Sequence, residues 1–243
     1  MIQVTFKGLR ERLQTLDRLE REQLPFAAAL ALTTTAQDVK KALVDEMKTV
    51  FDRPTRFTLN SLFVEPATKD NMKARVWMKD TAQESGGRPA TDWLAPQVFG
   101  GKRDQKASEK RLSDRGVLPV GQYIVPARGL KLDAYGNISR GTMNKIVSGL
   151  GAQFDKYANS TASRRSAGNL KRYFVMKKGS RPIGIGERTG KGKQGMRMVV
   201  AFASRPQYSK RFDFFQLAER VAEDRLPIRF ELAIARALAT RQR

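Results

Sequence analysis

The residues with the strongest chemical character lie between positions 164 and 193. Arg164, Arg165, Lys171, Arg172, Lys177, Lys178, Arg181, Arg188, Lys191 and Lys193 stand there against a single acid, Glu187. Cations at this density neutralise phosphates, and counterion release makes such binding steeply salt-dependent. An acidic protein surface satisfies the same electrostatics. Arg164, Arg165, Lys171, Arg172, Lys177, Lys178, Lys191 and Lys193 are the candidate contacts to an acidic partner or to nucleic acid. Aromatic residues near them are few, Tyr173 and Phe174, and no established nucleic-acid motif is present. The run GIGERTGKGK has the look of a phosphate loop but the wrong spacing. Three residues separate Gly186 from Gly190-Lys191 where four are needed, Gly192 replaces the hydroxyl residue, and a strand pattern follows instead of a helix. A basic hairpin loop is the better reading.

Other chemistry is thinly provided for. The 243 residues contain no histidine and no cysteine. That removes the commonest general base, the commonest zinc ligand and every thiolate. The adjacent acids Asp45-Glu46 and Glu223-Asp224 lie on helix patterns, where neighbours diverge by about 100°. No carboxylate spacing suggests a metal site. The chain is therefore expected to be no enzyme and to carry no cofactor. The formal charge of +22, with 46 Lys and Arg against 24 Asp and Glu, predicts attraction to something acidic. No run of 18 apolar residues is present, so no membrane partner is expected. The opening MIQVTFKGLRERLQ lacks a signal-peptide core, which predicts a product that stays in the cytoplasm of its host cell.

The elements that must position these residues follow from periodicity. Ile2, Val4 and Phe6 alternate with polar residues as a short strand, and Leu9, Leu13, Leu16 and Leu19 recur as a first helix. Pro25 is read as the first turn of a second helix, with Leu32, Ala36, Val39, Leu43, Met47 and Val50 on its apolar side. Its small residues, 27–31 and 33–35, suit tight core packing or a subunit contact. Asp52-Arg53-Pro54 ends it. Two strands are expected next. One carries Phe57, Leu59 and Phe63. In the other, Met72, Ala74, Val76 and Met78 face one way and Lys73, Arg75, Trp77 and Lys79 the other. Trp77 on that basic face suits a surface aromatic or a base-stacking one. Residues 82–96 read as a loop, 102–115 as a short charged helix, 123–126 as a strand, 133–141 as a turn, 142–150 as a helix and 152–168 as a polar mobile stretch. Strands follow at 172–176, 182–188 and 196–203.

The last stretch, 205–243, has the rhythm of a long amphipathic helix, kinked or interrupted at Pro227. Phe212, Phe215, Val221 and Leu226 precede the proline on one side, and Ile228, Leu232, Ile234, Ala235 and Leu238 continue the stripe. Phe212, Phe215, Leu232 and Leu238 are the candidate subunit-packing residues; for the two phenylalanines the subunit core and a neighbour's surface remain alternatives. The fold class expected is α+β: a small twisted antiparallel sheet packed against a long C-terminal helix, with N-terminal helices and a loop-rich central insertion. The expected boundaries are 1–84, an insertion at 85–170, and 171–243, the two outer parts forming one domain.

Both ends of the chain also resemble a known family. The opening runs FKGL, a leucine helix, then LPFAAALALTTTAQDVKKAL; the close runs strand, SRPQY, aromatic helix, then RLPIRFELAIARAL. This resembles the tailed-bacteriophage minor tail protein Z family, the tail-completion proteins, over about residues 2–80 and 171–240. The resemblance implies a virion component at the head–tail junction, with a small twisted sheet on a long helix. It implies copies assembled in a ring, and as partners the tail-tube or terminator and head connector proteins. It adds a transient contact with DNA, which passes the junction during ejection. The alternative is a basic nucleic-acid-binding protein using the 164–193 cluster.

Overall fold

The computed structural model describes residues 2–5, 18–80 and 88–240. It is α+β, and the chain divides into two compact units, Met1–Gly100 with Ser209–Arg243, and Gly101–Tyr208. The leucine helix expected at 9–19 lies outside the described residues except for its last two positions, which open α1.

The first unit is built on two long helices, α1 (Arg18–Val50) and α7 (Phe214–Thr240). Helices of 33 and 27 residues span about 50 and 40 Å. Leu32, Ala36, Val39, Leu43 and Met47 recur every three or four residues on α1, and all are buried. Ala27 and Ala31 meet Ala233 and Ala237, and Asp38 meets Arg229, so the two helices run antiparallel. Alanines one turn apart on both partners let the backbones approach closely. The unit's sheet is β1 (Ile2–Thr5), β3 (Lys73–Met78) and β2 (Leu62–Glu65), in that order and antiparallel throughout. Ala74, Val76 and Met78 are buried in one core with α1, as the alternation predicts. A further helix, α3 (Ala90–Phe99), adds Ala90, Leu94 and Val98.

Several expectations are corrected here. Pro25 does not start a helix, since α1 runs through it, and of the two outcomes expected at Pro227 the interruption does not occur, since α7 runs through it. Each proline removes one backbone bond, and the apolar seam along the rest of the helix offsets that loss. Pro96 likewise sits inside α3, where a loop was expected, because Ala90, Leu94 and Val98 fall at four-residue spacing. The strand expected around Phe57 is instead the short helix α2 (Arg56–Leu59), capped by the Thr55 hydroxyl, which accepts from the Thr58 amide at 3.2 Å. Trp77 is no surface aromatic: its ring packs edge-on against Phe214, with centroids 5.8 Å apart.

The second unit contains β4 (Gly101–Lys102), α4 (Ala107–Asp114), β5 (Tyr123–Pro126), α5 (Arg140–Gly149) and α6 (Ala167–Arg172). These are followed by β6 (Tyr173–Lys178), β7 (Arg181–Arg188), β8 (Met196–Ala203) and β9 (Gln207–Tyr208). Its main sheet has the antiparallel order β5-β8-β7-β6, and β4 pairs with β9. Leu112, Ile124, Ile146, Val147, Tyr173, Ile185, Val199 and Val200 share one core. This corrects the expected boundaries. Strands β6 to β8 join the helices of 101–172 and not the N-terminal helices, because their apolar faces pack on α4 and α5. The sheet that the C-terminal helix packs against is β1-β3-β2. The supposed insertion belongs to a unit with its own core, and 152–168 is tied down: the Gln153 amide donates to Asn159 Oδ1 at 2.9 Å and Ser148 Oγ to the Ala158 carbonyl at 2.9 Å.

Candidate functional site

The excess charge is unevenly shared. Gly101–Tyr208 holds 23 Lys and Arg against 6 Asp and Glu, which is +17 of the chain's +22. Two of those acids are withdrawn from the surface. Glu187, on β7 in register with Tyr173 and Arg197, is buried and accepts from Arg172 Nε at 2.5 Å and Arg197 Nε at 2.8 Å. Burial opposes its ionisation, but the hydrogen bonds from Arg197 and Arg172 outweigh that and hold the carboxyl below the usual glutamate range. Glu109, on α4, is fully buried. Its carboxylate takes both nitrogens of the Arg103 fork at 2.7 Å and the backbone amides of Lys106 and Ile124 at 2.6 and 2.9 Å. Burial again works against the charge, and these donors win, so its carboxyl is also lowered.

The expected basic cluster does not converge. Arg164 and Arg165 precede α6, and Lys171 and Arg172 end it; all four are exposed. Lys177 and Lys178 lie at the far end of β6, beside Arg181. A strand of six residues separates the two groups by about 17 Å. Lys191 is exposed in the turn between β7 and β8; the Lys193 side chain lies outside the described residues. Arg172 is engaged by Glu187. Arg188 donates to the Lys171 carbonyl at 2.7 Å and lies 4.4 Å over the Phe174 ring. The GIGERTGKGK glycines are packing residues in part: a Cβ on Gly186 would stand 2.6 Å from the Phe174 ring, and one on Gly184 would meet the Val200 carbonyl.

Of the candidate packing residues, Phe212 is fully buried in the first unit, edge-on to Phe51 and Phe214 at 5.8 Å. Its ring is therefore a core group and not a neighbour's contact. Phe215 is half-buried against Phe99 and Trp77. The phenylalanine missed was Phe214, which is fully buried. Beyond Pro227 the buried line is Ala233 and Ala237, while Ile228 and Leu232 are 48% and 56% exposed. The Leu238 side chain lies outside the described residues.

Sequence reasoning also missed a pair of clefts in the second unit. One, of about 620 Å³, is lined by the first turns of α4 and α5, with Lys106, Arg111 and Arg140 and the amides of Asn137, Asn144 and Gln153. The other, also about 620 Å³, shares Arg111 and Gln153 and adds Arg115, Phe154 and Lys156. The signal available in the sequence was Phe154, an aromatic in an otherwise polar stretch. Among the described residues no group of three or more acids stands close enough to hold a metal, and no helix is long and apolar enough to cross a membrane. No protein-family model, curated protein or solved structure matches the chain.

Proposed function

We propose that the chain is a structural, non-catalytic subunit of a tailed-phage virion at the head–tail junction, where copies form a ring that joins the tail to the head connector. One observation carries the reading: two long antiparallel helices, seamed by alanines, lie on a small antiparallel sheet in the first unit. That build agrees with what the likeness to tail-completion proteins implies. Ile228 and Leu232, one turn apart on α7, supply apolar surface that a neighbouring copy would cover in a head-to-tail ring. Mass measurement of the purified protein tests this. A defined closed oligomer is expected, and Leu232→Glu, at an exposed position, should return it to single subunits without unfolding it. A wild-type protein that stays a lone subunit and enters no particle removes the reading.

A second reading, a basic nucleic-acid-binding protein using the 164–193 cluster, is favoured by the confinement of +17 to one unit. It requires duplex binding that weakens steeply with salt and is lost when Lys177 and Lys178 are both changed to Gln.

A further inference from the structure

We infer that the paired clefts around Arg111 form a binding track for a single-stranded nucleic-acid segment, distinct from the 164–193 cluster. The first cleft offers a phosphate three cations, Lys106, Arg111 and Arg140, and no carboxylate lines it. The opening turns of α4 and α5 border the same space, so both helix dipoles add positive potential there. Arg111 is the wall between the clefts. Its Nη1 donates to Gln153 Oε1 at 2.6 Å, and its guanidinium sits 5.7 Å from the Phe154 ring centroid. On the other side are Arg115 and Lys156, with Asp114 the one lining acid.

The aromatic groups decide the kind of partner. Phe154 is 75% exposed and Tyr157 97% exposed, far more than rings of that size need be. They are displayed on a fixed shelf: the Asp155 carboxylate accepts from the Tyr157 amide at 2.9 Å, and Asn159 holds the Gln153 amide. Charge alone would suit any polyanion, a duplex included. Duplex bases are stacked on one another and offer no face to a protein ring, whereas an unpaired base stacks on an aromatic side chain whatever its sequence. Cations in two adjoining clefts, with Phe154 lining the second and the exposed Tyr157 three residues on, therefore match a single strand. The nearby acids are outnumbered: Glu109 is paired with Arg103, and Asp114, Asp133 and Asp155 stand against Lys106, Arg111, Arg115, Arg140 and Lys156.

Fluorescence anisotropy with a labelled oligothymidylate, and with a duplex of equal length, tests this on the full chain. Tighter binding of the single strand is expected. Phe154→Ala and Tyr157→Ala should each weaken it by about tenfold, with the salt dependence unchanged. Lys106→Gln with Arg140→Gln should flatten the dependence of log affinity on log salt by about 0.7 per phosphate contact removed. Lys177→Gln with Lys178→Gln should leave single-strand binding intact. Circular dichroism melts confirm that each variant is folded, as the exposure of the two rings leads one to expect. Absence of binding, equal affinity for the duplex, or indifference to loss of both rings overturns the proposal. Loss confined to the Lys177/Lys178 variant also overturns it and moves the contact to the 164–193 cluster. Ring assembly, read by mass, is scored separately.

Discussion

The two units of this chain are stabilised by opposite means. In the first, long helices bury repeated small and aliphatic side chains, and 23 Lys and Arg are nearly balanced by 18 Asp and Glu. In the second, short elements carry +17, and two of its six acids are buried beneath arginines. Like charge at that density works against compactness. Glu109 and Glu187 offset it from inside, where their effect on nearby cations is least screened. The difference teaches where to look for partners. A nearly neutral helical unit suits association through apolar contact, and a cationic unit suits an anionic partner.

The contrast is broken most severely by attacking the apolar unit. Phe214 is fully buried against Phe212, Phe215 and Trp77. Phe214→Ala should cost about 4 kcal/mol, through lost burial and the cavity left behind. Hydrogen exchange should quicken across α1 and β3 and stay unchanged in β7 and β8. Equal quickening in both units would show that they do not unfold separately. Phe215→Ala should cost less, since that ring is only partly buried.

The charged unit has its own weak point. Glu109→Gln keeps the shape of the side chain but leaves Arg103, 13% exposed, without its counter-charge. Breaking such a pair costs about 3 kcal/mol. The same residue sets a pH dependence. Its folded carboxyl is lowered, so its contribution is fully present above the unfolded value of about 4.3 and is lost as pH falls through the folded one. Glu187 acts in the same direction. Acid should therefore unfold β7 and β8 before α1, seen as earlier loss of exchange protection there. In Glu109→Gln the unit should be weaker at neutral pH and its decline with acid shallower. An unchanged acid profile would mean that the pair contributes nothing.

Much of this architecture was legible from residue spacing. The 32–36–39–43–47 series, the alternation of β3 and the limits of β5 and β8 all follow from side chains that repeat with the local geometry. Pro25 and Pro96 misled, because each removes one bond while the buried face of the helix supplies many contacts. Unit membership was hidden for a different reason. The chain leaves the first unit at Gly100 and returns at Ser209, so β9 and α7 are consecutive elements without sharing a unit. Periodicity carries no record of such a crossing. The basic run looked like one patch because sequence distance conceals the length of β6. The cations of the clefts were hidden because Lys106 at the start of α4, Arg111 within it and Arg140 on α5 are spaced too irregularly to form a pattern.

The smallest expected effect is the sharpest check on the contrast. Arg229 on α7 donates to both Asp38 oxygens on α1, at 2.7 and 2.8 Å, an ion pair between the two helices. The hydrogen bond from Arg229 lowers the Asp38 carboxyl, and burial opposes it only partly. Both side chains reach solvent, so water screens the attraction and ordering two flexible groups costs entropy. A double-mutant cycle with Asp38→Asn and Arg229→Gln should give a coupling of about 0.2–1 kcal/mol. The pair then sets which turns of the two helices face each other while the alanine seam supplies the stability. A coupling above about 2 kcal/mol would mean that charge holds the first unit as well, and the division between an apolar and an electrostatic unit would fail.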